Sequence, residues 1–185
     1  MTSIIKVDTL QTAAGGVPTA ADLGINVTGT VLQVVQATKT DTQTIQNTTF
    51  TDVSDLSVSI TPSSTSSKIL VLMHMHHGSV GGIGSFRLVR EATAIHVGDA
   101  SSSRIQATGG LGFGVSSESS GAYYGGLVSA AQYLDAPSTT SATTYKVQVS
   151  ERNNALIVIN RAGYDVDGVN GIRGTSSITL MEIAG

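Results

Sequence analysis

At 185 residues the chain is long enough to bury a real core and reads as one domain with a short appendage. Its ten Lys and Arg against thirteen Asp and Glu give a net charge of −3 and are scattered singly, so no basic stripe marks a nucleic-acid footprint and no nucleic-acid partner is expected. The absence of cysteine excludes disulfides and thiolate metal sites, leaving packing or assembly to supply stability.

Charged residues make up only 12% of the chain, against the roughly 25% usual for soluble domains. A surface so poorly ionised is poorly protected against association, so much of it is expected to be covered in an assembly. No apolar run approaches the ~18 residues that would span a bilayer, and membrane insertion is not expected. Met1–Gly16 lacks the basic and apolar regions of a secretory signal. Ser, Thr, Gly, Val and Ile dominate, a composition for strands and turns.

In chain order, Ser3–Leu10 reads as one short strand with Ile5 and Val7 on one side and Leu10 on the other. A single strand on a Gly15-Gly16 linker cannot bury itself, so residues 1–29 are read as an anchoring arm in which Ile5, Val7 and Leu10 make the attachment. Val17–Leu23 holds at most one helical turn. Residues 30–185 form the body. Thr30–Thr38 alternates as a strand, and Thr48–Val53 is a short Thr-rich candidate.

Leu56–Gly78 reads as a hairpin-like pair. Leu56, Val58 and Ile60 alternate with polar residues, a Pro/Ser/Thr connection follows, and Lys68–His77 is apolar on both sides before it reaches His74 and His76. A strand apolar on both sides is covered on both sides, and the second cover over Leu70, Leu72, His74 and His76 is expected to be a sister subunit.

Ser85–Arg90 and Ala94–Val97 suit a hairpin around Glu91-Ala92-Thr93. Residues 98–122 form a long Gly/Ser loop of the kind that is usually functional. Strands follow at Tyr123–Leu134, Thr143–Glu151 and Ala155–Arg161, then a Gly/Asp/Asn loop at 163–174 and a last strand at Ser176–Ile183. Pro62–Lys68 and Pro137–Lys146 share a Pro, Ser/Thr, Lys pattern and are read as equivalent crossings at one end of a sandwich. Nine to eleven short strands and no convincing helix predict an all-β, jelly-roll-like two-sheet sandwich with an extended N-terminal arm.

Candidate sites are few. His74 and His76 lie on one strand face, roughly 6–7 Å apart, where a third ligand would complete a transition-metal site. No such ligand is identifiable, and hydrogen-bonded or solvated imidazoles explain the pair as well. Asp165 and Asp167, with Asn170, resemble a calcium loop that lacks its distal Glu, and tight turns account for them equally. Tyr164 beside Asp165, Asp167 and Asn170 is the one grouping suited to a sugar ligand. Gly109–Gly114 lacks the helix that a nucleotide-binding glycine motif requires. No nucleophile elbow or acid–base pair is found, so neither catalysis nor a cofactor is expected.

Ile5–Gly16 (IKVDTLQTAAGG), Gly29–Gln36, Ser57–Leu72, Ser141–Val149 and the ending Ser177–Gly185 (SITLMEIAG) resemble small virion proteins of tailed bacteriophages, especially marine and cyanobacterial ones, usually labelled tail-fibre or structural proteins. The likeness covers both ends and most strands, but neither the 98–121 nor the 163–174 loop. The body is similar in strand order to the trimeric C1q/TNF-like jelly roll, through Phe86–Arg90, Ala131–Val149 and Ser177–Ile183. The aromatic residues that usually line that trimer axis are mostly missing here. The resemblance implies a homotrimer located on a virion, held to other capsid or tail proteins by its arm. Recognition of a host-surface glycan through the late loop is the alternative.

Overall fold

The computed structural model describes residues 9–18, 28–112, 126–169 and 171–185. These residues hold eleven strands and no helix: β1 (Val31–Lys39), β2 (Gln43–Ile45), β3 (Thr51–Ile60), β4 (Lys68–Val80), β5 (Ile83–Arg90), β6 (Thr93–Ile95), β7 (Gly109–Leu111), β8 (Leu127–Asp135), β9 (Thr143–Arg152), β10 (Leu156–Ile159) and β11 (Ser176–Ile183). One sheet runs β1, β11, β4, β8, with β10 and β2 continuing it past the end of β11. The other runs β3, β9, β5, β6, with β7 also on β5. Strands adjacent in sequence mostly fall in opposite sheets, which is the interleaving of the expected jelly-roll-like sandwich.

Alternation in the sequence explains the core. Ile69, Val71, Met73 and Met75 of β4 point inward with Ile178 and Leu180 of β11 and meet Tyr145, Val147 and Val149 of β9 and Phe86 and Leu88 of β5. Sheets stack about 10 Å apart, a gap these β-branched, Met and aromatic side chains fill.

Leu56–Gly78 is not a hairpin. β3 and β4 belong to different sheets, and the polar connection between them is a crossing. The 136–142 connection from β8 to β9 is a second crossing at the same end, because Ile60 pairs with Thr143 and Ile69 with Asp135. Thr48–Val53 and Leu56–Ile60 merge into one strand, β3, which is irregular at Asp55, where φ is +61°. The short β2, with only three residues of pattern, gave no usable periodicity. β7 lies inside the expected long loop. Ile5 and Val7, the Val17–Leu23 turn beyond Pro18, residues 113–125 and Asn170 lie outside the described residues. Of the arm, Leu10 is exposed.

Three buried polar clusters close the sandwich. At one end Lys39 is fully buried; its Nζ donates to Asp41 Oδ1 and Ser54 Oγ, each at 2.7 Å, and lies 3.7 Å from Asp55. Along the β8–β6 edge, Asp135 accepts from Arg90 and from the Tyr145 hydroxyl, both at 2.7 Å, and Tyr133 stacks on His96. Burial and the Asp135 carboxylate push the Tyr145 phenol well above its ordinary value.

At the crossing end, Glu182 is buried and accepts from Gln33 Nε2, Ser67 Oγ, and both the backbone N–H and the hydroxyl of Ser63. Desolvation pushes its carboxyl up, but these hydrogen bonds outweigh that and carry it from 4.5 down to about 2. A carboxyl depressed in the fold stabilises fully above its unfolded pKa and loses that contribution as pH falls. Urea denaturation is therefore expected to show Glu182→Gln less stable than wild type at pH 7 by about 1–3 kcal/mol. The difference should shrink as pH falls from 4.5 toward about 2. Equal stability at pH 7 would show that Glu182 does not anchor the crossing.

Candidate functional site, an open sheet face

The outward faces of the two sheets differ in chemistry. On the β3–β9–β5 sheet the outward side chains satisfy one another: Asp52 takes Lys146 at 2.8 Å and Gln148 at 2.6 Å, Arg87 donates to Gln148 at 2.9 Å, and Ser59 pairs with Thr144. Arg87 also lies over the Phe50 ring. This is a solvent-adapted surface.

The outward face of β1, β11, β4 and β8 is organised in levels across the strands. The strand register aligns Val34, Met181, Leu70 and Leu134 in one row. The next row holds Gln36, Thr179, Leu72 and Gln132, and the one after it Thr38, Ser177, His74 and Ala130. Beyond the apolar row, Val31, Ile183 and Lys68 complete the face, and Lys68 is the one formal charge among these outward positions. Val34 and Leu134 are each 54% exposed, as is Val128 near His76. A shallow depression of about 430 Å³ opens over Leu72 and His74, between Ala130, Gln132, Ser177 and Thr179. A contiguous apolar band rimmed by neutral polar groups is the surface type that marks an interaction site.

The second face of β4 is thus covered in part by its own chain. β4 passes from pairing with β11 at Lys68–His74 to pairing with β10 at His77–Val80, and the join is bridged by side chains. The His76 backbone N–H donates to Ser176 Oγ, whose hydroxyl donates to Asn160 Oδ1 at 2.6 Å, while Asn160 Nδ2 donates to the carbonyls of Lys39 and Asp41. Residues 161–163 then pack over Gly78, where any Cβ would meet their backbone. The His76 ring is enclosed by Gly126 and Gly174, neither of which leaves room for a side chain. So Leu70, Leu72 and His74 lie on the open half of the face, whereas His76, expected beside them, is 8% exposed and offers a second copy almost nothing. Among the described residues, its Nδ1 and that of His77 have no hydrogen-bond partner.

The remaining candidate residues are placed as follows. Among the described residues no three His, Cys, Asp or Glu side chains form a metal-binding group, so His74 and His76 gain no third ligand. Asp165, expected as a calcium or sugar ligand, is engaged by Arg173 at 2.5 Å and by Arg161 at 4.0 Å, and the Arg173 hydrogen bond holds its carboxyl below the usual range. These ion pairs and the Arg161–Arg173 bridge staple the late loop, leaving a depression of about 420 Å³ lined by Asp165, Asp167 and Arg173, with Tyr164 partly exposed beside Asp165 in sequence. Sequence reading missed Lys39, Asn160, Ser176 and Glu182, since isolated polar residues in strands carry no periodic signal.

Neither a protein-family model nor a curated protein matches this sequence.

His77 supplies a pH test of the closed half. It faces inward with Nε2 2.9 Å from Ser129 Oγ, and burial, then the neighbouring His76, lower its pKa from 6.5 to about 4. The unfolded chain takes up this proton first, so stability is full above pH 6.5 and falls as pH drops toward about 4. The loss is about 3 kcal/mol at the usual 1.4 per pKa unit. Calorimetric melting of His77→Gln is expected to lose most of that slope; an unchanged slope would exclude His77 as its source.

Proposed function

We propose that the chain is a non-enzymatic structural protein of a tailed-phage particle, a homotrimer that packs through the open half of the β1–β11–β4–β8 face and attaches through residues 1–29. What carries the reading is the contrast between the two outward faces: one is saturated with ion pairs and hydrogen bonds, the other presents Val34, Met181, Leu70 and Leu134 to water with almost no charge. The virion-protein resemblance of Ile5–Gly16 and Ser177–Gly185 supplies the setting.

The dimensions support a second copy as the cover. Strands about 4.8 Å apart, followed over Lys68–His74 at about 3.3 Å per residue, make a plate of roughly 19 by 20 Å. Its projected area is about half of the roughly 800 Å² that each partner buries in a stable interface, and side-chain relief adds to it. β1 enters this plate at the end where Gly29 and Thr30 bond to Ala184, and the stapled late loop lies at the other end, so arm and loop are separated along one axis.

Sedimentation at about 10 µM is expected to give three times the chain mass, and Leu134→Asp with Leu70→Asp to give a folded monomer. Removing residues 2–28 should leave the trimer intact and abolish incorporation into particles. A monomeric wild type would overturn the reading.

A second reading, a carbohydrate-binding module, is favoured by the depression beside Asp165, Asp167 and Arg173. Glycan binding abolished by Asp167→Ala would support it.

A further inference from the structure

We infer that Gln132 sets the register between copies of this chain, acting with Gln36 and Thr179 as a polar layer that admits a second copy only when equal levels of the two faces meet. The inference deepens the assembly reading above and rests on it.

The argument starts from the rows. Passing along β4, the outward chemistry changes from apolar at Leu70 to amide and hydroxyl at Leu72, then to imidazole and small groups at His74. Gln36 is already engaged, its Nε2 donating to Thr179 Oγ1 at 2.7 Å, and among the described residues its carbonyl oxygen takes no side-chain donor. Gln132 is exposed at the same level on the opposite edge strand, and among the described residues its amide has no side-chain partner. Once the face is covered, an amide left unpaired there loses its water without replacement.

The acceptor nearest in kind is the Gln36–Thr179 pair of a second copy, and it lies at the same level. A rotation about an axis running along the strands preserves level, so it sets apolar row on apolar row and amide on amide. A two-fold axis across the strands reverses the order: centred on the amide row it sets the apolar row on the imidazole row, and at any other level it also places Gln132 against one of them. Single polar residues inside apolar contacts are the best-attested means of fixing register between chains. The depression beside Gln132, floored by Leu72 and walled by Ala130, Ser177 and Thr179, gives the incoming edge of the second copy room to enter. In such an arrangement every arm leaves the assembly at one end and every late loop at the other.

The cysteine-free sequence makes the test direct. In the full chain, Leu134→Cys is combined with Val34→Cys, at the same level, or with Thr38→Cys, two levels away. Within one copy β8 and β1 are about 14 Å apart, beyond the reach of a disulfide, so any cross-link joins two copies. Mild oxidation is expected to link the same-level pair and not the other. Adding Gln132→Leu should leave the sedimentation mass unchanged and raise the cross-level product about tenfold, the population ratio of roughly one unmade hydrogen bond. Cross-level links with Gln132 in place, no link in an assembled protein, or a pattern indifferent to Gln132→Leu would each overturn the inference while leaving the assembly standing. A monomeric mass would instead remove the assembly reading itself.

Discussion

Much of this structure depends on how β4 changes partners along a single edge. Its thirteen residues pair first with β11 and then with β10, and between the two a stretch of backbone has no ladder to join. Buried backbone groups must be hydrogen-bonded, so the gap has to be bridged. Ser176 and Asn160 bridge it: one accepts the His76 N–H, the other gives its own N–H to the His76 carbonyl, and Asn160 carries on to the carbonyls of Lys39 and Asp41. Asn160 adopts φ +62°, a left-handed conformation that Asn tolerates better than most residues, and the chain leaves the sheet there. The late loop therefore begins and ends at the join, and it folds back over Gly78 and His76.

That local necessity divides the outward face of β4. Below His74 the chain covers itself; above it, Leu70, Leu72 and their neighbours on β11, β1 and β8 stay open. On the opposite sheet Ile83 is the one exposed large hydrophobic among the described strand residues, and the outward Asp, Lys, Arg and Gln side chains pair with each other. The scarcity of charge in the whole chain is thus unevenly distributed, with the pairs concentrated on one face and at the sandwich ends. Where charge is missing, little resists dehydration, and this is why that face is the one proposed for association.

Legibility in the sequence followed periodicity. The long strands β1, β5, β9 and β11 were readable because alternate apolar residues repeat often enough to be distinguished from chance, and Ser176–Ile183 falls at its expected bounds. The three-residue strands β2, β6 and β7 offer too few repeats, so one was missed, one was displaced and one was hidden in a loop. Of the candidate site, Leu70, Leu72 and His74 were visible as a second apolar stripe ending in histidines. Their partners Val34, Met181 and Leu134 were not, because which residues share a row depends on register between strands far apart in sequence.

By itself the sequence determined that the chain is all-β, that it lacks covalent or thiolate cross-links, and which side of each long strand is apolar. Those properties follow from composition and from a two-residue period, both local. Only the tertiary structure decided that β3 and β4 part into different sheets, that His76 is enclosed while His74 is open, and that Asp165 is held by two arginines. Each of these is a meeting of residues from separate strands and loops, set by sheet pairing and by the need to satisfy buried polar groups, and neither leaves a local trace along the chain.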